Sequence, residues 1–366
     1  MNIYVLNLSL VLLQLFIGTI FFRSRTDHTN FKASAVVFFL MLFLEFALMG
    51  DWSTDIRQYY MNFKVNYGTL RELTLLPAFQ DLLQIKGIGF VVLSLIVKYL
   101  TGNFMHLLII LGIVIAFCYV SFIYKYSELT WMSMLVLLCS GCYYYSFNLV
   151  RQILAASLFC CCFYSLYQGK WKRYFLSVLG IMLFHFSAVV LIPLYFLLRA
   201  DFSKVKQTVF FCYSTVAAVY LFTPQITNFV TSFFYENYRN TNAYGMSEGL
   251  SLFSACKSLA LGLVVLLNYK KFNYQDEKEK VIFNGCFVYL LFGAASFRIK
   301  MLYRFVNFFV PFLMLAYPMI ANRGKNRSLS LGMSGLFLII LHSNWTFYAK
   351  YYFFWENTLC YWSLVS

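Results

Sequence analysis

Four groupings of side chains have the types and spacing that chemistry at a membrane boundary requires. Asp51 and Asp55 are four residues apart and Tyr59 is four further on, directly after an apolar run that carries Glu45 and ends at Gly50. On a continuous helix all three project from one face. Acids in such a place serve as a general base, as cation ligands or as acceptors for sugar hydroxyls. A solvated loop that simply carries charge accounts for the same residues. Asn148 and Arg151 are three apart, with Gln152 following, at the start of the apolar run 152–167. A guanidinium there is costly unless it is paired or functional. Its planar fork suits phosphate oxygens, and a snorkelling side chain at a helix end is the plain alternative. His185 stands inside a long apolar stretch with Ser187 close behind. An imidazole so placed relays a proton, binds a leaving group or bonds a neighbouring helix. Finally, Arg298, Lys300 and Arg304 bracket the start of the apolar run 301–321, and Lys300, Arg304 and Asn307 share a helical face. Three cations at one helix end suffice to hold a diphosphate; they also serve as interfacial anchors.

The elements that must position these residues follow from composition. The 366 residues are 61% hydrophobic and only 12% charged, which excludes both a water-soluble globular domain and a disordered chain. Backbone groups in lipid must bond within their own segment, and the apolar runs lack the alternation of a barrel, so helices are expected. The expected fold is all-α: a polytopic integral membrane protein forming a single transmembrane domain over residues 1–366. A helix needs about 20 apolar residues to span hydrocarbon, and the chain offers about 12 such stretches. They are 3–22, 33–50, 82–100, 104–124, 129–147, 150–168, 173–198, 207–223, 251–268, 281–297, 301–321 and 329–348. Two longer loops, about 51–81 and 224–250, fall on one side, and the basic clusters at 23–32 and 269–280 make that side external. The second loop adds Tyr235, Glu236, Tyr238, Arg239 and Tyr244, a mix that suits sugars or an interfacial helix. Lys170, Lys172 and Arg173 land outside by this count, unless a broken segment intervenes, for which Phe184–Ser187 is one candidate. The aromatic tail 349–366 reads as interfacial.

Several function classes drop out. The net charge of +15 is spread over short basic clusters between apolar runs, so the positive-inside rule explains it and nucleic acid is not an expected partner. Most of the ten cysteines lie in apolar runs and read as packing residues, including the Cys139–Cys142 pair. No zinc pattern, phosphate-binding glycine loop, dinucleotide fingerprint or catalytic triad order is present, so neither metal nor cofactor is expected. Residues 3–22 lack a basic leader and a small-residue cleavage site, and read as a retained first helix.

The order of the motifs resembles the EpsG-type branch of Wzy polymerases, bacterial membrane proteins of exopolysaccharide and O-antigen assembly. Gly50-Asp51-Trp52-Ser53-Thr54-Asp55 with Tyr59-Tyr60 is similar to that family's Gly-x-Asp-x-x-x-Tyr region. Asn148 through Ala155 resembles its Arg-Gln-x-x-Ala helix start, and Phe184-His185-Phe186-Ser187-Ala188 through Pro193 its His-x-Ser-Ala segment. The arginine-containing stretch Arg298 to Asn307 completes the order. The segment Asp81 to Gly89 departs from the pattern, lacking the Glu-Pro-Gly triplet common in relatives.

The resemblance implies an enzyme of the bacterial inner (plasma) membrane with its active site facing the exterior or periplasm. It would transfer a polyprenyl-diphosphate-linked glycan onto another lipid-linked repeat unit. Lipid-linked oligosaccharide repeat units and membrane lipids are then the partners, with room for a chain-length regulator and a flippase. On this reading Arg151, with Arg298 or Arg304, holds the diphosphate. Asp51 or Asp55 binds the acceptor sugar or acts as base, and His185 orients a group or relays a proton. Gln152, Asn148 and Tyr59 complete the substrate site. Cations can supply the charge a departing diphosphate needs, so no metal is required. The alternatives are a transporter or flippase of the same lipid-linked sugars, a membrane O-acyltransferase using a histidine in an apolar segment, and a ligase sharing the donor chemistry.

Overall fold

The computed structural model describes Ser9 and residues 28–47, 54–66, 87–201, 214–215, 217–234, 252–324 and 327–343. Among the described residues every regular element is helical, as continuous apolar runs without alternation require. Helix α1 spans His28–Ala47, and α2 spans Thr54–Met61 and runs into a π-helical turn at Asn62–Asn66. Helices α3 (Ile88–Thr101) and α4 (Phe104–Tyr126) are packed neighbours joined by two residues. Gly102 takes the left-handed conformation (φ +66°) and ends α3 by donating to the Lys98 carbonyl at 2.9 Å. Asn103 starts α4 by accepting from the Met105 N–H at 2.8 Å.

Next come α5 (Thr130–Ser140), α6 (Val150–Phe159), α7 (Phe163–Tyr167), α8 (Trp171–Met182) and α9 (Leu191–Arg199). The remaining helices are α10 (Thr223–Phe234), α11 (Leu252–Leu267), α12 (Glu277–Ala295), α13 (Tyr303–Val306), α14 (Val310–Asn322) and α15 (Arg327–Ser343). The centre is α5, buried from Met132 to Ser140 and packed by α14, α15, α11 and α4. Around it α1 lies along α4, and α12 lies against α9, α11 and α14. Small residues permit these approaches. A Cβ on Gly285 of α12 would stand 2.1 Å from the Phe312 ring of α14, and one on Gly112 of α4 2.8 Å from the Phe46 ring of α1. Such close contact is what holds helices together where lipid removes most of the hydrophobic drive between them.

The expectation of about 12 transmembrane helices does not hold. Among the described residues two stretches are long and apolar enough to cross a bilayer: Phe104–Tyr126, of 23 residues, and Val150–Tyr167, of 18. The second is α6 carried through a 3-10 turn at Cys160–Cys162 into α7. A third is gained only if Lys300–Val306 and Val310–Asn322, bent by 59°, count as one. The other runs are apolar but interrupted. The segment expected at 129–147 stops at Ser140, where Gly141 caps it, and continues as a 3-10 turn at Tyr144–Phe147. That expected at 173–198 breaks between Met182 and Phe186, at the stretch singled out in the sequence. The helix in 82–100 begins only at Ile88, and α12 opens with the charged Glu277-Lys278-Glu279-Lys280. The expected span 3–22 and much of 207–223 lie outside the described residues, as does the tail 349–366. Nor are the two expected loops plain loops: Thr54–Asn66 and Thr223–Phe234 are helical, while Tyr235 to Tyr244 lie outside the described residues.

The two membrane-length stretches run the same way. Their C-terminal ends are level, with Tyr126 stacked edge-on to Phe163 at 4.9 Å and to Tyr167 at 6.4 Å. An ionic network sits at this end. Arg199 donates to the carbonyls of Leu166 (2.7 Å) and Tyr167 (2.9 Å) and pairs with Glu277 at 3.1 Å. Arg323 grips Glu279 through both guanidinium nitrogens (2.6 and 2.7 Å) and reaches Glu128 at 3.6 Å. The starts of α6 and α13 lie at the opposite end.

Candidate functional site

At that opposite end four segments distant in sequence meet around Arg151. Helix α2 brings Asp55 and Tyr59 to one face, as their four-residue spacing requires, while Ile56, and Phe63 in the π-helical turn that follows, are buried. The Tyr59 ring packs on Phe90 at 5.1 Å. The Arg151 guanidinium lies over both rings, 5.9 Å from the Tyr59 centroid and 5.2 Å from that of Phe90. Cation–π contact of this kind holds a guanidinium over the ring faces. Arg151 Nε also donates to the Phe184 carbonyl at 3.4 Å, in the break between α8 and α9.

A glycine segment ahead of α3 makes this arrangement possible. Gly87 is left-handed (φ +92°), and a Cβ there would stand 1.8 Å from Arg151 Nη2. The Gly89 N–H donates to the Leu183 carbonyl at 2.7 Å, so this segment braces the same break that carries His185. Sequence reasoning missed both glycines. Their signal is a Gly-x-Gly immediately before an apolar run, which by itself says only that the backbone turns.

Arg304 on α13 joins from the other side. Its carbonyl accepts from Gln152 Nε2, tying α13 to the start of α6, and the Tyr303 ring meets Tyr145 at 5.9 Å. Asp55 is half-buried. Burial pushes its carboxyl above the ordinary range, against the pull of the Arg304 and Arg151 guanidiniums. His185 lies in the field of the same two guanidiniums. Asn148 Oδ1, Gln152 Oε1, His185 Nε2, Ser187 Oγ and Asn307 Nδ2 are all buried without a hydrogen-bond partner in the protein. Buried polar atoms ordinarily have one, so these five, on the segments that carry Arg151, His185 and Arg304, suit a polar ligand.

Of the residues singled out in the sequence, Asp55, Tyr59, Asn148, Arg151, Gln152, His185 and Arg304 thus gather at one end of the bundle. Arg298 does not join them: it is exposed, and its Nε donates to Thr223 Oγ1 on α10 at 3.4 Å. Asp51 lies outside the described residues. Among the described residues no three His, Cys, Asp or Glu side chains cluster as metal ligands would. Chemically, the cluster offers two guanidiniums for an anion, a carboxyl made more basic by burial and an imidazole.

The family whose sequence model matches this chain is described as the EpsG family, and the match covers residues 32–361. No curated protein matches, and no solved structure matches.

Proposed function

The chain belongs to the EpsG family, and from that premise we propose that it is a polysaccharide polymerase using polyprenyl-diphosphate-linked glycan as donor. Family membership supports a polymerase-like activity on polysaccharide, and the membrane-length helices accord with a protein of the inner membrane. In the reaction proposed, an acceptor sugar hydroxyl on one lipid-linked repeat unit attacks the anomeric carbon of another. The carbon–oxygen bond to the diphosphate breaks, polyprenyl diphosphate leaves, and the hydroxyl proton passes to a carboxylate. The work takes place at the external face, in a single membrane domain.

Arg151 and Arg304 hold the diphosphate as its charge develops, where a low dielectric makes each contact strong. Asp55 is the base, with Asp51 beside it in sequence for the acceptor sugar, and His185 orients the hydroxyl or relays its proton. Tyr59 stacks on the sugar or steadies Arg151, while Asn148 and Gln152 present amide groups to the substrate. Arg298, bonded to Thr223, is the weaker candidate for the diphosphate. The observation that carries this reading is the meeting of Asp55, Arg151, His185 and Arg304 from four separate segments.

Purified protein in vesicles with lipid-linked repeat units, and no ion gradient, tests it. Longer chains are expected, and Arg151→Ala should reduce their formation on the order of 10²-fold or more. Normal polymer length and amount from Arg151→Ala would overturn the assignment of roles. Movement of repeat units across the vesicle wall without lengthening would make the protein a flippase instead.

A further inference from the structure

We infer that the end of the bundle remote from Arg151 carries a headgroup site for an acidic phospholipid, built by Lys125, Lys170 and Lys278 around Tyr126 and Tyr164. Lys125, in the last turn of α4, stands 5.3 Å from the Tyr126 centroid and 5.6 Å from that of Tyr164. Lys170, just past α7, lies 4.6 Å over Tyr164 and donates to its hydroxyl at 3.2 Å. Lys278, in the first turn of α12, approaches Tyr126 to 5.7 Å. Tyr167 joins the two rings, 6.4 Å from Tyr126 and 5.6 Å from Tyr164.

Three ammoniums from three elements therefore converge on one aromatic floor. Among the described residues none of them has a carboxylate within ion-pair distance, because the acids of this end are engaged elsewhere. Glu277 is held by Arg199 and Lys280, Glu128 and Glu279 by Arg323, and Asp276 caps α12 by accepting from the Lys278 N–H at 2.8 Å. The C-terminal ends of α4 and α7 offset part of the charge, but a helix end supplies only about half an elementary charge. The remainder calls for an anion from outside the chain.

Position identifies the anion. Both membrane-length stretches end here, at Tyr126 and Tyr167, so the lysines stand where hydrocarbon gives way to headgroups. Lys125 and Lys170 are exposed, open to a lipid arriving from the side. Phosphate oxygens fit between the ammoniums, and the tyrosine rings accept the upper acyl and glycerol carbons.

Native mass spectrometry of the full chain, released from micelles holding equal phosphatidylglycerol and phosphatidylcholine, tests the site independently of polymerase activity. Wild type should retain phosphatidylglycerol in preference. A lysine near an anionic surface contributes about 1 kcal/mol, so Lys125→Gln, Lys170→Gln and Lys278→Gln should each weaken that preference about fivefold. Lys170→Arg should keep it, and Lys270→Gln, an equal charge change elsewhere, should leave it unaltered. Equal retention of both lipids by wild type, or equal loss in Lys270→Gln, would overturn the proposal. So would abolition of the preference by millimolar inorganic phosphate, which would assign the lysines to a soluble anion.

Discussion

Arg151 is confined by its neighbours, and Gly87 is the neighbour that tolerates least change. Gly87→Ala combines a left-handed backbone, worth roughly 1–2 kcal/mol against any L side chain, with a methyl 1.8 Å from the guanidinium. Gly102 is equally left-handed, but a Cβ there would meet nothing within 4 Å. Gly87→Ala should therefore depress chain extension nearly as far as Arg151→Ala, whereas Gly102→Ala should only lower the melting temperature; extension assays and thermal scans on both variants decide it. Asp55 gives a second expectation. A base must be ionised, and burial raises its pKa, so extension should fall with acidity at a higher pH than an ordinary carboxylate would set, about 3.9. The sign for stability is opposite. The folded chain binds that proton more tightly than the unfolded chain, so Asp55 costs stability as pH rises through the interval between the two pKa values. Asp55→Asn should thus abolish extension yet melt no lower than wild type at pH 7. The pair Asp55–Tyr59 was legible because helical spacing alone places it. Gly87 was not, because its role depends on a guanidinium far along the chain.

Helices here are interrupted at the cluster around Arg151. The break between α8 and α9 presents the Phe184 carbonyl and His185, and the bend between α13 and α14 carries Asn307, with Arg304 in the short helix before it. Apolar content over a window does not register whether the backbone runs straight through it, which is why about twelve spans were expected while the described residues hold two, or three if the bent pair counts as one. The break at Phe184–Ser187 was visible in advance, since a histidine and a serine interrupt an otherwise apolar run. The bend at Val306–Val310 has only Pro311 to announce it, and α14 starts there because proline suits a first helical turn. The junction of α12 and α14 can be tested by titration. Burial acts to raise the Glu279 pKa, but the Arg323 bonds and the Asn273 N–H outweigh it and the net shift is downward. A depressed carboxyl contributes stability above its unfolded pKa, about 4.3, and loses it as pH falls through the folded value. Melting temperature should hold steady from pH 7 to about pH 5 and decline below, and Glu279→Gln should remove this component of the acid sensitivity while lowering stability at pH 7.

Taken whole, the bundle has two unlike poles. One gathers Asp55, Arg151, His185 and Arg304; the other gathers the ionic network and the lysine–tyrosine floor. The parallel run of the two membrane-length stretches implies that residues beyond their ends share a compartment. In a cysteine-free background, Gln168→Cys and Asn273→Cys should react with an impermeant maleimide from the same side of sealed vesicles, and Thr101→Cys from the other. Opposite-side labelling of Gln168 and Asn273 would refute the arrangement. Sequence alone could order the motifs but not sort Arg298 from Arg304, since both stand near the same apolar run and only the packing of α13 on α6 separates them. The network at the far pole has a mechanical meaning as well. Arg199 and Arg323 rivet α7, α9, α12 and α14 together there, so spreading of these four helices is expected to be least at that pole. On the proposed function, a greasy carrier with a bulky sugar head would then enter at the pole away from these rivets.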